Sequence, residues 1–555
     1  MIAVILCWLL ITLVFFALGD NFISVYQKVT KRDESYSFFD TFLIGLCVTG
    51  TLICITSIWL PSGLVVASVL GLLSAVYLFF AKRKQLVLSI KSVWSSLSLL
   101  QKILIPVVFL LFLLFALMPP QFPDIYYYHI QNMMWNEEFH VVPGLANLEE
   151  RFGFNSNLFL LCSTFGLRPL FGQFVFGINA LCMAFLLINI IRQSSNKKPY
   201  LICIYIVIYI ILFMVYKTHI AASSADLLPN LLIVYLLFSL LSNQKNLQTK
   251  SILFWLLPVF CITLKVSAVF ICLLSMYFLI ILIKEKSYKT VGFICIVALL
   301  IVVPWLARNV IISGYLVHPY PAIDLFNVDW KLPAEYARQS SDYIKAFALN
   351  REASGTSAEY VLSMPLMDKI RYWISEQHPL DISIALSGLL SPLFMLVGYK
   401  RIVRKDNAVL NILWLIGFAG FVFWLTMAPA VRFGYGFMAI VVAIFFYLIL
   451  KDVKYPQKVF PVSILIILSI VYLSVLTIRY FVVIKDVSYV ELLLKPQDIG
   501  DRRTKDFSSG YINDILFVRP INGGCGDHSL PCSNEDIEGL EMRGNTLQEG
   551  FRREK

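Results

Sequence analysis

The sequence predicts an all-α polytopic integral membrane protein, and three observations carry this prediction. Hydrophobic residues make up 59% and charged residues 15% of the 555 residues, whereas soluble domains carry about 45–50% apolar and about 25% charged residues. Many apolar runs are about 17–25 residues long, the length that crosses the hydrocarbon of a bilayer as a helix. The alternation typical of a membrane β-barrel is missing, so helices remain as the way to satisfy the backbone in lipid.

About fourteen apolar runs are expected to form membrane spans. They lie near residues 1–18, 38–60, 62–82, 101–119, 173–192, 199–216, 226–242, 250–264, 266–284, 289–307, 381–399, 408–428, 433–450 and 458–484. The first run has no basic residue before it and no small-residue cleavage site, so we expect a retained helix rather than a cleaved signal. The run 158–170 is too short and too marked by glycine and proline to count as a span, and a re-entrant segment is the alternative.

Basic residues predict the orientation of the spans, because cytoplasmic connections carry an excess of lysine and arginine. Lys28, Lys31 and Arg32 follow the first span and place the N-terminus outside. The cytoplasmic connections then contain Lys82, Arg83, Lys84, Arg192, Lys197, Lys198, Lys245, Lys250, Lys284, Lys286, Lys289, Lys400, Arg401, Arg404, Lys405, Lys451, Lys454 and Lys458. The outward connections are residues 119–157, 217–226, 308–380, 428–434 and the tail from residue 485. The net charge of +11 therefore reflects membrane orientation, and we exclude nucleic acid as a partner.

The outward connections carry the residues with chemistry. All six histidines fall there: His129, His140, His219, His318, His378 and His528. Cys525 and Cys532 are the only two cysteines outside apolar runs, and in an oxidising compartment their spacing could close a small disulfide loop. The other nine cysteines are expected to act as small apolar residues in the spans.

The first outer loop, residues 119–157, concentrates acids and aromatic residues between membrane spans. Charge is costly near a bilayer, so this concentration marks a candidate functional site; a solvated loop with interfacial aromatics is the alternative. Tyr128 and His129 are candidate substrate-binding residues in the segment DIYYYHI. Asp124 lies just past the end of a span, where partial desolvation can raise its pKa toward a general-base value. Its alternative role is to cap the following helix.

A pair of carboxylates follows the Pro-Gly turn of the same loop. Glu149 and Glu150 could assist an acid/base step, orient a sugar hydroxyl, or hold a divalent metal with Asp124 or His129. The alternative is an ion pair within the loop to Arg151. No cofactor is assigned, and a divalent metal is left open.

Few cations face outward, and each is a candidate for binding a phosphate. Lys217 and His219 open the second outer loop, and Lys265 lies inside otherwise apolar sequence, where an ammonium must find an anion or an aqueous cavity. Arg308 follows a span, and Arg432 lies between two spans. Arginine binds phosphate bidentately, which suits a phosphate or pyrophosphate group. Snorkelling and helix-end capping are the alternatives, with Lys265 and Arg432 the stronger candidates for the ligand.

Other features limit the chemistry further. Asp226 is another carboxylate near the membrane, and its alternative role is to begin the span that follows it. Motifs for a phosphate-cradling loop, an HExxH zinc site and a nucleophile elbow are missing from the sequence. An enzyme that faces outward has no access to cytosolic nucleotide-sugars, so it needs a donor delivered on a membrane lipid.

An outer loop with Asp124 after the first core span, two amphipathic stretches and a long later outer loop resemble the GT-C glycosyltransferases. These include the protein O-mannosyltransferases and the aminoarabinose transferases of lipid A. More narrowly, VPGLANLEERFGFNS, PWLARNVIISGYLVHPYPAIDLFNVDW, APAVRFGYGF and CGDHSLPC with the later MRGNTLQEGFR resemble a largely uncharacterised family of bacterial multispanning proteins. This narrower resemblance covers roughly residues 100–555.

The GT-C resemblance implies a base or acceptor-positioning role for Asp124, and a phosphate-binding role for Lys265, Arg308 and Arg432. It also implies a polyprenyl-phosphate-linked sugar as donor. The family loop often pairs two acids, whereas PPQFPD has one, so the second acid is Glu149, Glu150 or none. Three spans precede the core, and an outside N-terminus preserves the direction of the core's first helix.

The resulting expectation is a glycosyltransferase of the bacterial inner (cytoplasmic) membrane, with its active site facing the periplasm. The acceptor is a surface glycan, a lipid or a protein. An O-antigen-type polymerase or ligase, a transporter of lipid or sugar, and a non-catalytic assembly factor are the alternatives. We expect accessory helices over residues 1–100, a GT-C-like core over 101–310, a long outer loop over 311–380, further spans over 381–484 and a small extracytoplasmic tail over 485–555.

Overall fold

A computed structural model describes residues 1–242, 250–350, 357–402, 408–451, 462–483, 488–497 and 506–553. The first half of the chain folds into helices α1 (Ile2–Thr30), α2 (Phe38–Thr56), α3 (Leu64–Tyr77), α4 (Arg83–Ser96), α5 (Leu99–Ala116), α6 (Ile130–Glu138), α7 (Asn157–Phe165), α8 (Arg168–Phe171), α9 (Ile178–Gln193), α10 (Pro199–Tyr216), α11 (Leu227–Ser242) and α12 (Ser251–Leu264). The second half contributes α13 (Cys272–Lys284), α14 (Tyr288–Ser313), α15 (Ala334–Leu349), α16 (Ala358–Ser363), α17 (Leu366–Glu376), α18 (Pro379–Leu389), α19 (Ser391–Ile402), α20 (Ala408–Met427), α21 (Val431–Leu450), α22 (Val462–Val483) and α23 (Tyr489–Leu494). The described strands are β1 (Phe507–Ile512), β2 (Ile515–Pro520), β3 (Leu540–Met542) and β4 (Phe551–Arg553).

The prediction of an all-α polytopic membrane protein is confirmed. Within the described residues, ten helices are long and apolar enough to cross a membrane, and four shorter apolar helices accompany them. Each of the fourteen predicted runs contains at least one helix, although the run 381–399 is divided between α18 and α19. The doubtful run 158–170 forms the nine-residue helix α7, whose residues are all buried, and the short helix α8.

The first two helices belong to the main core rather than to a separate layer. Phe15 of α1 and Phe42 of α2 are fully buried in the same hydrophobic cluster as Leu161 of α7. A Cβ atom at Gly19 or Gly45 would clash with the backbone of the neighbouring helix. Small residues at helix crossings allow such close approach in membrane proteins. Of the accessory helices expected over residues 1–100, α1 and α2 therefore pack as part of the core.

Ion pairs connect helices at one end of the bundle. Arg32 pairs with Glu285 at 3.1 Å, and Lys82 pairs with Asp20 at 3.1 Å. Lys250 binds the buried carboxylate of Asp40. These cations belong to the connections predicted to be cytoplasmic, whereas Lys245, Arg404, Lys405, Lys454 and Lys458 lie outside the described residues. The direction of the chain across the membrane stays a prediction.

The C-terminal tail packs on the first outer loop at the opposite end of the bundle. β1 and β2 form an antiparallel hairpin, and β3 pairs with β4. Phe517 and Phe551 of the tail share a hydrophobic cluster with Trp135 and Phe152 of the loop. The predicted disulfide between Cys525 and Cys532 is present, with the two Cα atoms 5.9 Å apart.

Candidate functional site

The first outer loop turns sharply after α5 because prolines end the helix. Pro119 and Pro120 lack the N–H groups that a continuing helix needs. The Tyr126 hydroxyl donates to the Pro120 carbonyl oxygen at 2.6 Å and closes the turn. A π-helical turn, Ile125–His129, then leads into α6. Asp124 stands at the start of this turn.

Three charged side chains from separate helices meet beside this turn. Asp226 immediately precedes α11, Lys265 follows α12, and Arg432 is the second residue of α21. The Lys265 ammonium donates to the Asp226 carboxylate, and Arg432 Nε lies 3.5 Å from Asp226 Oδ2. The Asp226 side chain is 8% exposed, whereas those of Lys265 and Arg432 are 26% and 23% exposed. One buried carboxylate therefore holds two half-buried cations.

Electrostatics keeps Asp226 ionised. Burial alone would raise the pKa of Asp226, but Lys265 and Arg432 outweigh burial and lower the pKa to about 2. Asn230 joins the surrounding elements, because its amide donates to the Asp226 carbonyl at 2.8 Å and to the Arg432 carbonyl at 3.2 Å. The Tyr216 hydroxyl also donates to the Arg432 carbonyl, at 2.6 Å. The backbone that carries the two charges is thus fixed by polar contacts.

Asp124 faces this group without a bonded partner. Among the described residues, its carboxylate makes no hydrogen bond or ion pair. Burial raises the pKa of Asp124, while the positive charges of Arg432, Arg151 and Lys265 oppose that shift and Asp226 adds to it. Asp124 occupies the N-cap position of the turn that follows, as the capping alternative expected, but its side chain makes no cap hydrogen bond there. We call Asp124, Asp226, Lys265 and Arg432 the outer charge cluster.

Aromatic rings line the cations of the outer charge cluster. Lys265 Nζ lies 3.8 Å from the centroid of the Phe433 ring. The Arg432 guanidinium lies 5.3 Å from the centroid of Phe122, 5.0 Å from that of Phe433 and 5.6 Å from that of Phe347. Contacts between cations and ring faces stabilise positive charge in partly desolvated positions. The two cations therefore have neighbours that lower the penalty of their burial while leaving part of each exposed.

The predicted residues Tyr128, His129 and His219 lie next to the cluster. His129 Nδ1 is 3.2 Å from the Ser223 hydroxyl, and His219 Nδ1 is 2.6 Å from the Ser224 hydroxyl. Burial lowers the pKa of His129 to about 3, so its imidazole is neutral at physiological pH. Burial, together with the charges of Asp124 and Asp226, raises the pKa of Tyr128. These residues supply neutral hydrogen-bonding groups rather than further charge.

Helix α15 of the long outer loop covers the cluster. Its residue Phe347 contacts the Arg432 guanidinium through the face of its ring. Burial raises the pKa of the phenol of Tyr343, which lies one helical turn earlier. The charge of Arg151 opposes this rise, and the charge of Asp124 adds to it. The long loop thus contributes two aromatic side chains to the surroundings of Asp124.

Glu149 and Glu150 lie in an adjoining group that binds the tail. The Glu149 carboxylate pairs with Arg151 Nε at 2.9 Å and accepts from the Asn534 backbone N–H at 2.9 Å. The Glu150 backbone N–H donates to Glu535 at 2.7 Å, and burial raises the pKa of the Glu150 carboxyl to about 7. The ion pair proposed as the alternative for Glu149 is present. Both acids were predicted as candidate catalytic groups. The Glu149 carboxylate and the Glu150 backbone N–H connect the loop to the tail, whereas the Glu150 carboxyl bonds to Ser340 of α15.

Two predicted phosphate ligands lie outside the outer charge cluster. Within the described part of the chain, Arg308 donates to the Ser57 hydroxyl at 2.7 Å, to Asn136 Oδ1 at 2.8 Å and to Asn155 Oδ1 at 3.2 Å. Its guanidinium is buried and bonded to neutral groups of the protein, and the phosphate-binding role expected for it stays a prediction. Lys217 is exposed at the end of α10.

Asp226 was not predicted as a member of the cluster, and neither were Phe122, Phe433 and Phe347 as its aromatic neighbours. The signal for Asp226 was present, because the buried ammonium expected at Lys265 required an anion. The aromatic contacts had no such signal in a chain with 43 phenylalanines. Among the described residues, no three histidine, cysteine, aspartate or glutamate side chains converge as a metal site would require.

The bundle and its cluster define a polytopic membrane protein with a charged, aromatic-lined site where several spans end. Residues 1–439 match the family described as Domain of unknown function (DUF8201), and the chain belongs to that family. The match begins at the first residue, so it includes the helices expected to be accessory, and it ends within α21. No curated protein and no solved structure matches the chain.

Proposed function

We propose that the protein is an inverting glycosyltransferase that takes a sugar from a polyprenyl-phosphate donor on the outer face of a bacterial inner membrane. The observation that carries the proposal is the carboxylate of Asp124, which has no bonded partner in the part of the chain that the structure describes, beside two partly exposed cations, Lys265 and Arg432. A transferase needs a base for the acceptor and positive charge for the leaving phosphate, and the outer charge cluster holds both kinds of group.

The acceptor hydroxyl loses its proton to Asp124 as its oxygen attacks the anomeric carbon of the sugar. The bond between that carbon and the phosphate oxygen breaks, and its electron pair leaves with the polyprenyl phosphate. Lys265 and Arg432 stabilise the negative charge that develops on the phosphate, a contribution that is often the largest in catalysis.

The charge balance of the cluster supports an anionic ligand. Asp226 neutralises one of the two cations, so the Lys265–Asp226–Arg432 group carries one net positive charge, which the ionised Asp124 beside it balances before the donor binds. A phosphodiester carries one negative charge, which the group can accept without releasing Asp226. The acceptor class, whether glycan, lipid or protein, is left open in the proposal, as is a divalent metal.

The test uses purified full-length protein in liposomes that contain polyprenyl-phosphate sugars, with loss of labelled sugar from the donor as the readout. Asp124→Asn is expected to lower transfer by about 10²–10⁴-fold, the contribution typical of a general base. Asp514→Asn is the matched control, because Asp514 is an exposed acid in the tail turn between β1 and β2. Transfer by Asp124→Asn at the wild-type rate would refute the mechanism. Absence of transfer from every polyprenyl-phosphate sugar by the wild type would favour a transporter or an assembly factor.

A further inference from the structure

Helix α17 (Leu366–Glu376) has a sequence divided sharply into an apolar and a polar face. At 3.6 residues per turn, Leu366, Met367, Ile370 and Ile374 fall on one side of the helix with Trp373 at its edge. Asp368, Lys369, Arg371, Tyr372, Ser375 and Glu376 occupy the other side. This division is the pattern of a helix that lies along a boundary between an apolar and an aqueous medium.

The apolar face of α17 has no covering among the described residues. Leu366 is 70% exposed and Met367 is 66% exposed, and Ile370 and Ile374 are exposed as well. No residue of α17 is buried. A contiguous apolar face of this kind marks an interaction surface, because isolated exposed apolar residues are common but continuous patches are not.

The polar contacts of α17 fix its depth relative to the spans. Trp373 Nε1 donates to the Pro429 carbonyl at 2.7 Å, and Pro429 lies in the turn between the spans α20 and α21. Trp373 also meets Trp424 of α20 edge to face, with centroids 6.2 Å apart, and Trp424 Nε1 donates to the Ala430 carbonyl at 2.7 Å. Two tryptophans thus bond to the same inter-span turn. Tryptophan is enriched at the level where hydrocarbon meets the headgroups.

On its polar side, α17 is tied to the part of the long outer loop that covers the candidate site. The Asn350 amide at the end of α15 donates to the Tyr372 hydroxyl at 3.0 Å. The Lys369 ammonium donates to the Leu362 carbonyl at 2.6 Å. The helix therefore has its polar side toward the extramembrane loop, and no described residue covers its apolar side, at the level where two spans end.

We propose that α17 is an interfacial helix whose apolar face enters the bilayer leaflet on the side of the candidate site, so that lipid is the partner of this surface. Lipid is the expected partner because the apolar face of α17 lies at the level of Pro429, next to the ends of the spans α20 and α21. At that level the face meets the same lipid that surrounds these two spans. Pro429 is three residues before Arg432. The inference accordingly places the outer charge cluster at headgroup level, and it does not depend on glycosyl transfer.

The test measures which face of α17 contacts lipid in the full-length protein. A p-azidophenylalanine is introduced at Ile370 or Ile374, and in matched variants at Arg371 or Ser375, and is coupled to an environment-sensitive fluorophore. This chemistry leaves the native cysteines unmodified. Each labelled protein is reconstituted in phosphatidylcholine vesicles and titrated with an aqueous iodide quencher or with lipids that carry a nitroxide near the headgroup or near the chain end.

The expected result is opposite behaviour of the two pairs of positions. Probes at Ile370 and Ile374 should be quenched most strongly by the nitroxide near the headgroup and weakly by iodide, since an interfacial helix buries its apolar face to about 5–10 Å. Probes at Arg371 and Ser375 should be quenched by iodide. Equal iodide quenching at all four positions would overturn the inference. Shielding of Ile370 and Ile374 from both lipid and iodide would overturn it too, because it would identify a protein partner or a second copy as the occupant.

Discussion

The two aspartates of the outer charge cluster should respond in opposite ways to the same substitution. Asp226 holds Lys265 and Arg432, whereas the Asp124 carboxylate has no bonded partner among the described residues. Asp226→Asn therefore leaves two cations without their anion, and Asp124→Asn removes a charge that burial disfavours. The first variant is expected to be less stable than the wild type, and the second is expected to be as stable or slightly more stable.

The expected loss of stability in Asp226→Asn depends on how deeply Asp226, Lys265 and Arg432 are buried. Removing one member of a buried ion pair costs about 3–5 kcal/mol, because the remaining charge is left uncompensated. Lys265 and Arg432 are each about one quarter exposed, so water screens them and the lower end, about 3 kcal/mol, applies. The entropy of unfolding grows with chain length, and for 555 residues each kcal/mol corresponds to roughly 1 °C in Tm. The expected decrease for Asp226→Asn is thus about 3 °C.

Thermal unfolding of the purified full-length variants in one detergent, followed by intrinsic tryptophan fluorescence, measures both shifts. The double variant Asp226→Asn/Lys265→Met serves as the internal control, since it removes one of the two stranded cations and should recover part of the lost Tm. A Tm for Asp124→Asn as low as that of Asp226→Asn would refute the reasoning, because Asp124 would then have a structural partner. An unchanged Tm for Asp226→Asn would show that the ion pairs contribute nothing to stability.

Two further predictions concern residues near the cluster. Arg308→Met should lower the free energy of unfolding by about 3 kcal/mol, because buried acceptors on Ser57, Asn136 and Asn155 lose a charged donor. Thermal unfolding measures this loss. An unchanged Tm together with weaker binding of the sugar donor would instead make Arg308 a phosphate ligand. The contact between loop and tail should loosen as pH rises from 5 to 8. Burial raises the pKa of Glu150 to about 7, and burial also raises the pKa of Glu535, the tail acid that accepts from the Glu150 backbone N–H, to about 8. The folded state therefore retains protons that the unfolded chain loses near the ordinary pKa values, and this stability is lost as pH rises through 7 to 8. The protection factors of residues 530–540 against hydrogen exchange should fall over that range in the wild type, fall less in Glu150→Gln and stay nearly constant in Glu150→Gln/Glu535→Gln. An equal fall in all three proteins would contradict the assignment.

The positions of the membrane spans could be predicted because each span depends only on the hydropathy of its own consecutive residues. A span needs only a long enough apolar run, so every predicted run contains a helix in the structure. The Cys525–Cys532 disulfide followed from the same kind of local argument, since its partners are seven residues apart. Lateral packing is different, because a run of apolar residues does not state which other helices it contacts. The inclusion of α1 and α2 in the main core therefore needed the structure.

The candidate site shows the same division between local and non-local information. Lys265 was identified as needing an anion, but the partner, Asp226, is 39 residues away and was interpreted as a helix start. Arg308 was assigned to phosphate because it follows a span, yet neutral groups from three distant segments satisfy it. Charge compensation can thus be required by the sequence, whereas the identity of the compensating group depends on how the helices pack.

The geometry of the outer charge cluster also links ligand binding to the basicity of Asp124. Without a ligand, Lys265 and Arg432 oppose the effect of burial and keep the pKa of Asp124 lower than burial alone would set it. An anion bound between the same two cations would neutralise part of that positive charge and add a negative charge beside Asp124. Both effects raise the pKa of a carboxyl group. In the proposed reaction, the donor phosphate would therefore make Asp124 a stronger base when the donor is bound, and a proton taken from the acceptor would remain on Asp124 beside the departing phosphate.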